Sequence, residues 1–358
     1  MSLSSITASY GLTAPYNFSF PSSTMDSSAA VDWVTNSWDL DSHIAFGQND
    51  MVFSPDPSTS SSTLVRRASA STATSSGTAP ASTALNGQPP VLRIEYPSGS
   101  FSKATGGAQF YSVPLETNGT ASEIGGVSSD GQYERMLLSY DIWFPDGFQF
   151  NMGGKLPGLR GGPDAFGCSG GNETNGTGCF STRLMWRTGG AGEVYAYVPT
   201  SQANFCEQAN VICNSDFGTS LSRGSFTFAT GKWQTVWLLV VLNDVGSTNG
   251  LVQLFYNGVQ ALSFTNLELR AASSISSIGG LYFSTFFGGN DSTWATPTTQ
   301  YTYYRNMQLF AGLGSSNGTN TAAVKGKSAA VREITGGRSY MGLVGILLLG
   351  LVGVSTWL

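Results

Sequence analysis

Between residues 91 and 312 the hydrophobic pattern is one of short strands. Apolar runs at 91–96 (VLRIEY), 137–143 (LLSYDIW), 233–242 (WQTVWLLVVL) and 251–256 (LVQLFY) are separated by Gly- and Asn-rich breaks. The last run is closed by Asn257-Gly258, a two-residue hairpin signal. No stretch keeps a helical period, and there is no internal repeat. The pattern predicts an all-β fold, a β-jelly-roll sandwich of two antiparallel sheets. We assign that domain to residues 30–312, with one or two strands in 30–56. Residues 1–29 are expected to be disordered. Residues 57–90, rich in Ser, Thr and Ala and ending in Pro89-Pro90, read as an exposed insertion. A polar linker is expected over 313–340 and a hydrophobic tail over 341–358.

One strand pair carries candidate chemistry. In GEVYAYVP (192–199), alternation turns Val194, Ala196 and Val198 toward a core and Glu193, Tyr195 and Tyr197 the other way. In FSTRLMWR (180–187), Thr182, Leu184 and Trp186 suit a core, and Ser181, Arg183, Met185 and Arg187 share the opposite face. A Gly-rich turn over 188–191 makes the two a hairpin, which gathers Arg183, Arg187, Tyr195 and Tyr197 on one surface. Guanidiniums bind carboxylates in a two-point fork, and tyrosine offers a hydroxyl and a flat ring. That combination suits an acidic sugar. Equally, Tyr is a good strand former and an Arg here can simply pair with Glu193. A third element, GGKLPGLRGG (153–162), reads as a Gly/Pro loop with Lys155 in it, and it lacks the order of a phosphate-binding P-loop.

Composition narrows the chemistry. Of 358 residues, 41% are hydrophobic, enough for a packed core, and 11% are charged. The net charge is −5 with no basic run, which argues against nucleic acid as a partner. The one histidine, His43, excludes a three-histidine metal site and leaves proton chemistry to Tyr, Lys, Asp or Glu. No metal or cofactor is expected. The four cysteines, Cys168, Cys179, Cys206 and Cys213, lack a CxxC spacing. Three pairings are open, and we rank the local one first, Cys168–Cys179 with Cys206–Cys213. Disulfides imply an oxidising compartment. Sequons at Asn17, Asn118, Asn172, Asn175, Asn290 and Asn317 agree, and we take Asn118, Asn172, Asn175 and Asn290 as glycosylation candidates.

The run GLVGILLLGLVGVSTWL (342–358) is apolar and uncharged, and a polar stretch (331–340) and the small triplet Ser328-Ala329-Ala330 precede it. This is the pattern of a GPI-anchor signal, with Ser328 as the attachment residue; a single-span tail is the alternative. Residues 1–25 carry no Lys or Arg and no apolar leader, so the secretion reading requires a different start to the chain. A secreted or cell-surface protein is expected, held to the membrane by this tail, and monomeric.

The runs YPSGSFSKATGGAQFYSVPL, LSYDIWFPDGFQFNMGGKLPGL, CFSTRLMWR and GEVYAYVP, with the later LYFSTFFGGNDSTWATPTTQYTYYRNMQLF, resemble polysaccharide lyase family 14. The resemblance covers about residues 33–310. It implies a β-jelly roll that cleaves alginate- or glucuronan-like polyuronates by β-elimination. It also implies that Lys155, Tyr195 and Tyr197 are catalytic and that Ser181 and Arg183 bind substrate; we add Arg187 and Gln109 as substrate-binding candidates. Two rivals differ in class. A non-catalytic acidic-polysaccharide-binding protein would not need Lys155, and a glycoside hydrolase would need a pair of carboxyls about 5–10 Å apart.

Overall fold

The computed structural model describes residues 1–41, 44–62, 88–102, 105–115, 133–164 and 167–314. Asn118, Asn317, Ser328 and the apolar tail lie outside the described residues, as do His43 and most of the Ser/Thr-rich insertion.

Strand alternation produces two antiparallel sheets. The back sheet holds β1 (Ala14–Asn17), β2 (Met51–Ser54), β3 (Val91–Tyr96), β5 (Tyr133–Phe144), β11 (Lys232–Val241), β12 (Gly250–Tyr256), β13 (Val259–Leu267) and β15 (Gln300–Leu313). Its order is β13-β12-β11-β5-β15-β3-β2, with β1 on β15. The front sheet holds β4 (Ala108–Ser112), β6 (Gly153–Gly161), β7 (Phe180–Arg187), β8 (Ala191–Tyr197), β9 (Val211–Ile212), β10 (Thr219–Thr227) and β14 (Ile278–Phe287), in the order β4-β14-β6-β7-β8-β10-β9. Leu184, Trp186, Val194 and Ala196 from the front meet Leu138, Tyr140, Ile142 and Phe144 from the back in one buried core. The expected hairpin at Asn257-Gly258 is present, with both residues at positive φ (49° and 77°), the geometry of a type I′ turn.

The N-terminal expectations need correcting. Residues 1–29 are ordered, and 30–56 contain a helix as well as a strand. Helix α1 (Leu3–Ser9) starts where Ser2 accepts a bond from the Ser5 amide at 3.1 Å. Helix α2 (Ser27–Ser37) starts where Asp26 accepts from the Ala29 amide at 3.0 Å. Both helices are short, and tertiary contact rather than propensity holds them. Ile6 of α1, with Leu12, packs on the outer face of the back sheet beside Leu137, Leu239 and Val241. Ala30 and Val34 of α2 are fully buried against the sandwich core.

The Gly/Pro segment around Lys155 is a strand and not a loop. It lies between β14 and β7, so neighbours crowd both sides. A Cβ on Gly154 would come 2.0 Å from the Trp186 ring, and one on Gly158 would come 1.9 Å from the Thr182 carbonyl oxygen. Pro157 falls where the register with β7 shifts, between Leu156 and Gly158, so its missing N–H breaks no ladder bond. Its carbonyl accepts from the Tyr140 hydroxyl at 3.1 Å. Close approach demands the glycines that mimic a loop.

Candidate active site

The β7–β8 hairpin forms as its alternation requires. A 3₁₀ turn at Thr188–Gly190 closes it, with Gly189 at φ 68°. Ser181 faces Tyr197, Arg183 faces Tyr195 and Met185 faces Glu193. Neighbouring strands extend these pairs into rows. Lys155 on β6 sits opposite Met185, and Tyr282 on β14 opposite Gly158, which itself faces Arg183. Register alone thus brings Lys155, Arg183, Arg187, Tyr195 and Tyr197 to the floor of one pocket of about 210 Å³.

The surface is far more buried than an exposed strand face. Tyr195, Tyr197 and Arg183 are 6%, 3% and 2% exposed. Walls raised from loops cause this. Phe217 and Trp294 pack against a small cluster made of Met185, both tyrosines and the disulfide Cys168–Cys179. The second disulfide, Cys206–Cys213, anchors the loop that leads to β9 and Asn214 at the pocket edge. Both bridges follow the local pairing.

Electrostatics divide the cations into two groups. Glu193, fully buried, accepts from Arg187 Nε and Nη2 at 2.8 and 2.5 Å, from Arg223 Nε at 2.8 Å and from the Ser220 hydroxyl at 2.5 Å. Arg187 is therefore a compensated charge, although it lines the pocket. Arg183 and Lys155 have no carboxylate partner among the described residues. Arg183 donates from Nη1 to the Ser284 hydroxyl at 3.1 Å and lies 4.5 Å from the Tyr282 ring centroid, and its buried Nε has no partner. Lys155 Nζ reaches the Met185 sulfur at 3.2 Å and sits 4.2 Å over the Tyr195 ring. Burial, then the charges of Arg183 and Arg187, push its ammonium well below the ordinary lysine range, against an opposing pull from Glu193.

Each floor tyrosine accepts a backbone amide. Gly218 N–H donates to the Tyr195 hydroxyl and Gly171 N–H to that of Tyr197, both at 3.0 Å. Burial, then the neighbouring Tyr197, raises the Tyr195 phenol, and Arg183 and the Gly218 amide oppose this. At Tyr282 burial also pushes upward, but Arg183 and several hydrogen bonds outweigh it and the net shift is down.

Two sequence candidates stand apart from the pocket. The Ser181 hydroxyl donates to the Cys168 carbonyl at 2.7 Å and so ties down the disulfide loop. Gln109, on β4, accepts from Ser284 at 3.0 Å and from Tyr282 at 3.3 Å, and so reaches Arg183 through Ser284. Asn172 and Asn175 are exposed on the disulfide loop, and exposed Asn290 stands at the pocket rim. Sequence reasoning missed Trp294, Phe217, Tyr282 and Arg223. The first two sit in loops without a strand pattern. Tyr282 was legible by alternation in LYFSTFF, where Tyr282, Ser284 and Phe286 face away from Leu281 and Phe283.

A sandwich whose front sheet sinks uncompensated cations and tyrosines into a cleft, with no Asp or Glu among the described pocket-lining residues, defines a protein shaped for an acidic ligand. Residues 84–307 match the family model described as Polysaccharide lyase 14, and the chain belongs to that family. A crystal structure of the marine PL-14 alginate lyase from Aplysia kurodai is 32% identical, with a TM-score of 0.64 over 84% of this chain and 100% of that one. Alginate lyase vAL-1 from Chlorella virus shares the fold at 20% identity, with a TM-score of 0.51 over 64% of this chain and 88% of that one. Exolysin of Paramecium bursaria Chlorella virus 1 is 28% identical over 195 residues, 48% of this chain and 29% of that protein, so the chain spans less than a third of that relative.

Proposed function

We propose that this protein cleaves a uronate-containing polysaccharide, alginate- or glucuronan-like, by β-elimination. The observation that carries the proposal is the pair of buried cations, Lys155 and Arg183, without a counter-ion among the described residues. Such a pair is costly to hold unless an anion arrives. The C6 carboxylate of a uronate supplies it. Its arrival offsets the burial that disfavours the Lys155 ammonium, and the two cations, by neutralising the carboxylate, make the C5 proton more acidic. The C5 proton then passes to the phenolate oxygen of a tyrosine base that has first given its own proton to solvent, a C4–C5 double bond forms, the C4–O bond breaks, and an acid returns a proton to the departing oxygen. We assign the acid to Tyr195, whose raised phenol keeps its proton at neutral pH, and the base to Tyr197. The amides of Gly218 and Gly171 stabilise negative charge on either phenol oxygen as it develops. Glu193, with its oxygens committed to Arg187, Arg223 and Ser220, is not free for hydrolytic acid–base work.

The alginate named for the Aplysia relative supports a polyuronate as the polymer. Two disulfides further support a secreted or cell-surface location. We extend the proposal to a monomer anchored through its C-terminal tail by a GPI group at Ser328. The test is incubation with alginate, polyglucuronate and polygalacturonate, followed by the ultraviolet absorbance of a 4,5-unsaturated uronate. Binding without absorbance gain would mean a binding module, and new reducing ends without absorbance would mean a hydrolase; either result defeats the proposal.

A further inference from the structure

Among the described pocket-lining residues Arg223 is the one cation that no sequence motif announces, and its surroundings differ from those of the other cations. Strand β10 pairs with β8 in register from Thr219 to Leu221, then breaks register until Phe226, so residues 222–225 stand opposite Glu193 alone. Ser222 takes φ 51° at this bulge. A bulge re-aims side chains, and this one turns Arg223 toward the pocket, 40% exposed along its side chain. There it touches Glu193 and the Ser220 hydroxyl through Nε, at 2.8 and 3.4 Å. Arg187 grips the same carboxylate with two nitrogens from the other side. Glu193 thus orients Arg223 by its inner nitrogen, and the two terminal nitrogens of this pocket-lining residue have no hydrogen-bond partner among the described residues. A guanidinium presented this way offers the planar two-point edge that a carboxylate accepts.

We infer that Arg223 forms a second carboxylate subsite, which holds the uronate next to the one being cleaved. Met185 on β7 faces Glu193 on β8, and residues 222–225 of β10 stand opposite Glu193, so Arg223 lies two strand spacings, roughly 10 Å, across the sheet and two residues, about 7 Å, along it from Arg183. The cleft then reads two carboxylates along one polymer. It favours runs of consecutive uronates over chains in which uronates are isolated among neutral sugars. Arg223 here acts as a specificity-determining residue, and the chemistry at C5 stays with the floor residues. This inference rests on the elimination reading for its substrate class.

The experiment compares two oligosaccharides of equal length, one a continuous oligouronate and one with a single carboxylate at the cleaved residue. Wild type should prefer the first by about tenfold in kcat/KM, the equivalent of 1.4 kcal/mol. Arg223→Gln should lose that preference, mainly through a raised KM on the oligouronate with kcat within about twofold, and should leave the single-carboxylate substrate unaffected. An equal loss on both substrates, or no loss on either, overturns the inference. Should Arg223→Gln fail to fold, Arg223→Lys keeps a positive charge beside Glu193 while losing the fork, and the same comparison applies. If wild type yields no unsaturated product from any polyuronate, the elimination reading fails by itself. Calorimetric binding of the same two oligosaccharides to wild type and Arg223→Gln then still decides whether the subsite exists.

Discussion

Replacing Lys155 with methionine should abolish turnover while making the protein more stable. The residue is 9% exposed, its ammonium is close to Arg183 and Arg187, and it meets a sulfur at 3.2 Å and an aromatic face at 4.2 Å. Exchanging a buried charge for an apolar side chain of similar volume stabilises by up to about 1–4 kcal/mol. Losing the ring contact returns about 0.5–2 kcal/mol of that. A net gain of about 0.5–2 kcal/mol remains, which raises Tm by roughly 1–3 °C in a domain of this size. The pH dependence is more diagnostic. The lysine proton binds more weakly in the folded chain than in the unfolded one, where the ordinary value is near 10.5. Wild-type stability therefore rises with pH between the depressed folded value and 10.5. Below that window the destabilisation is fully present, and above it none is left. The variant's advantage should be largest at low pH and shrink toward zero as pH approaches 10.5. Calorimetric melts of both proteins across this range, with turnover read as unsaturated-uronate absorbance, test the point. A variant that melts below wild type at neutral pH, or whose advantage ignores pH, refutes the account of Lys155 as an uncompensated buried cation.

Glu193→Gln should destabilise by about 2–3 kcal/mol in denaturant titration. That is less than the 3–5 kcal/mol of a fully buried pair, because Arg187 and Arg223 remain 15% and 40% exposed. The same change removes the pull that keeps Lys155 charged, so it should lower the pH at which Lys155 loses its proton in an NMR titration. Opening the Cys168–Cys179 bridge by double serine substitution should cost roughly 2.5–3 kcal/mol of stability. It should also cut kcat more than it raises KM, since the loop carries the Gly171 amide that meets Tyr197. Tyr195→Phe should be rescued by a substrate with a good leaving group at C4 and Tyr197→Phe should not; equal rescue of both would reverse or merge their roles.

Much of this protein is written locally. Period-two alternation in residues 180–187 and 192–199 decides which side chains share a face, because a strand has no other choice. The hairpin residues Asn257 and Gly258 carry their turn in their own tolerance of positive φ. Cysteine spacing made the local pairing the first choice, and the bridges follow it. Where local signals conflict with tertiary ones, the reading fails. Residues 153–162 look like a loop because Gly and Pro dominate them, yet those glycines answer to Trp186 and Thr182 from the adjacent strand, which no window along the chain contains. Helices α1 and α2 are too short to show a period, and the sheet and core that hold them come from residues far away.

The sequence by itself thus determines the sandwich, the strand pair and the side chains that share its polar face, since each depends on neighbours within a few residues. Tertiary structure alone decides their electrical state. Arg187 and Arg183 share a strand face four residues apart, but one is neutralised by Glu193 and the other, among the described residues, meets Ser284 and aromatic rings. Lys155 becomes a depressed, buried cation only when β6 slots beside β7 and the loops carrying Phe217 and Trp294 close above it. Burial and charge partnership are sums over distant chain segments, and so they appear only when the sheets are assembled.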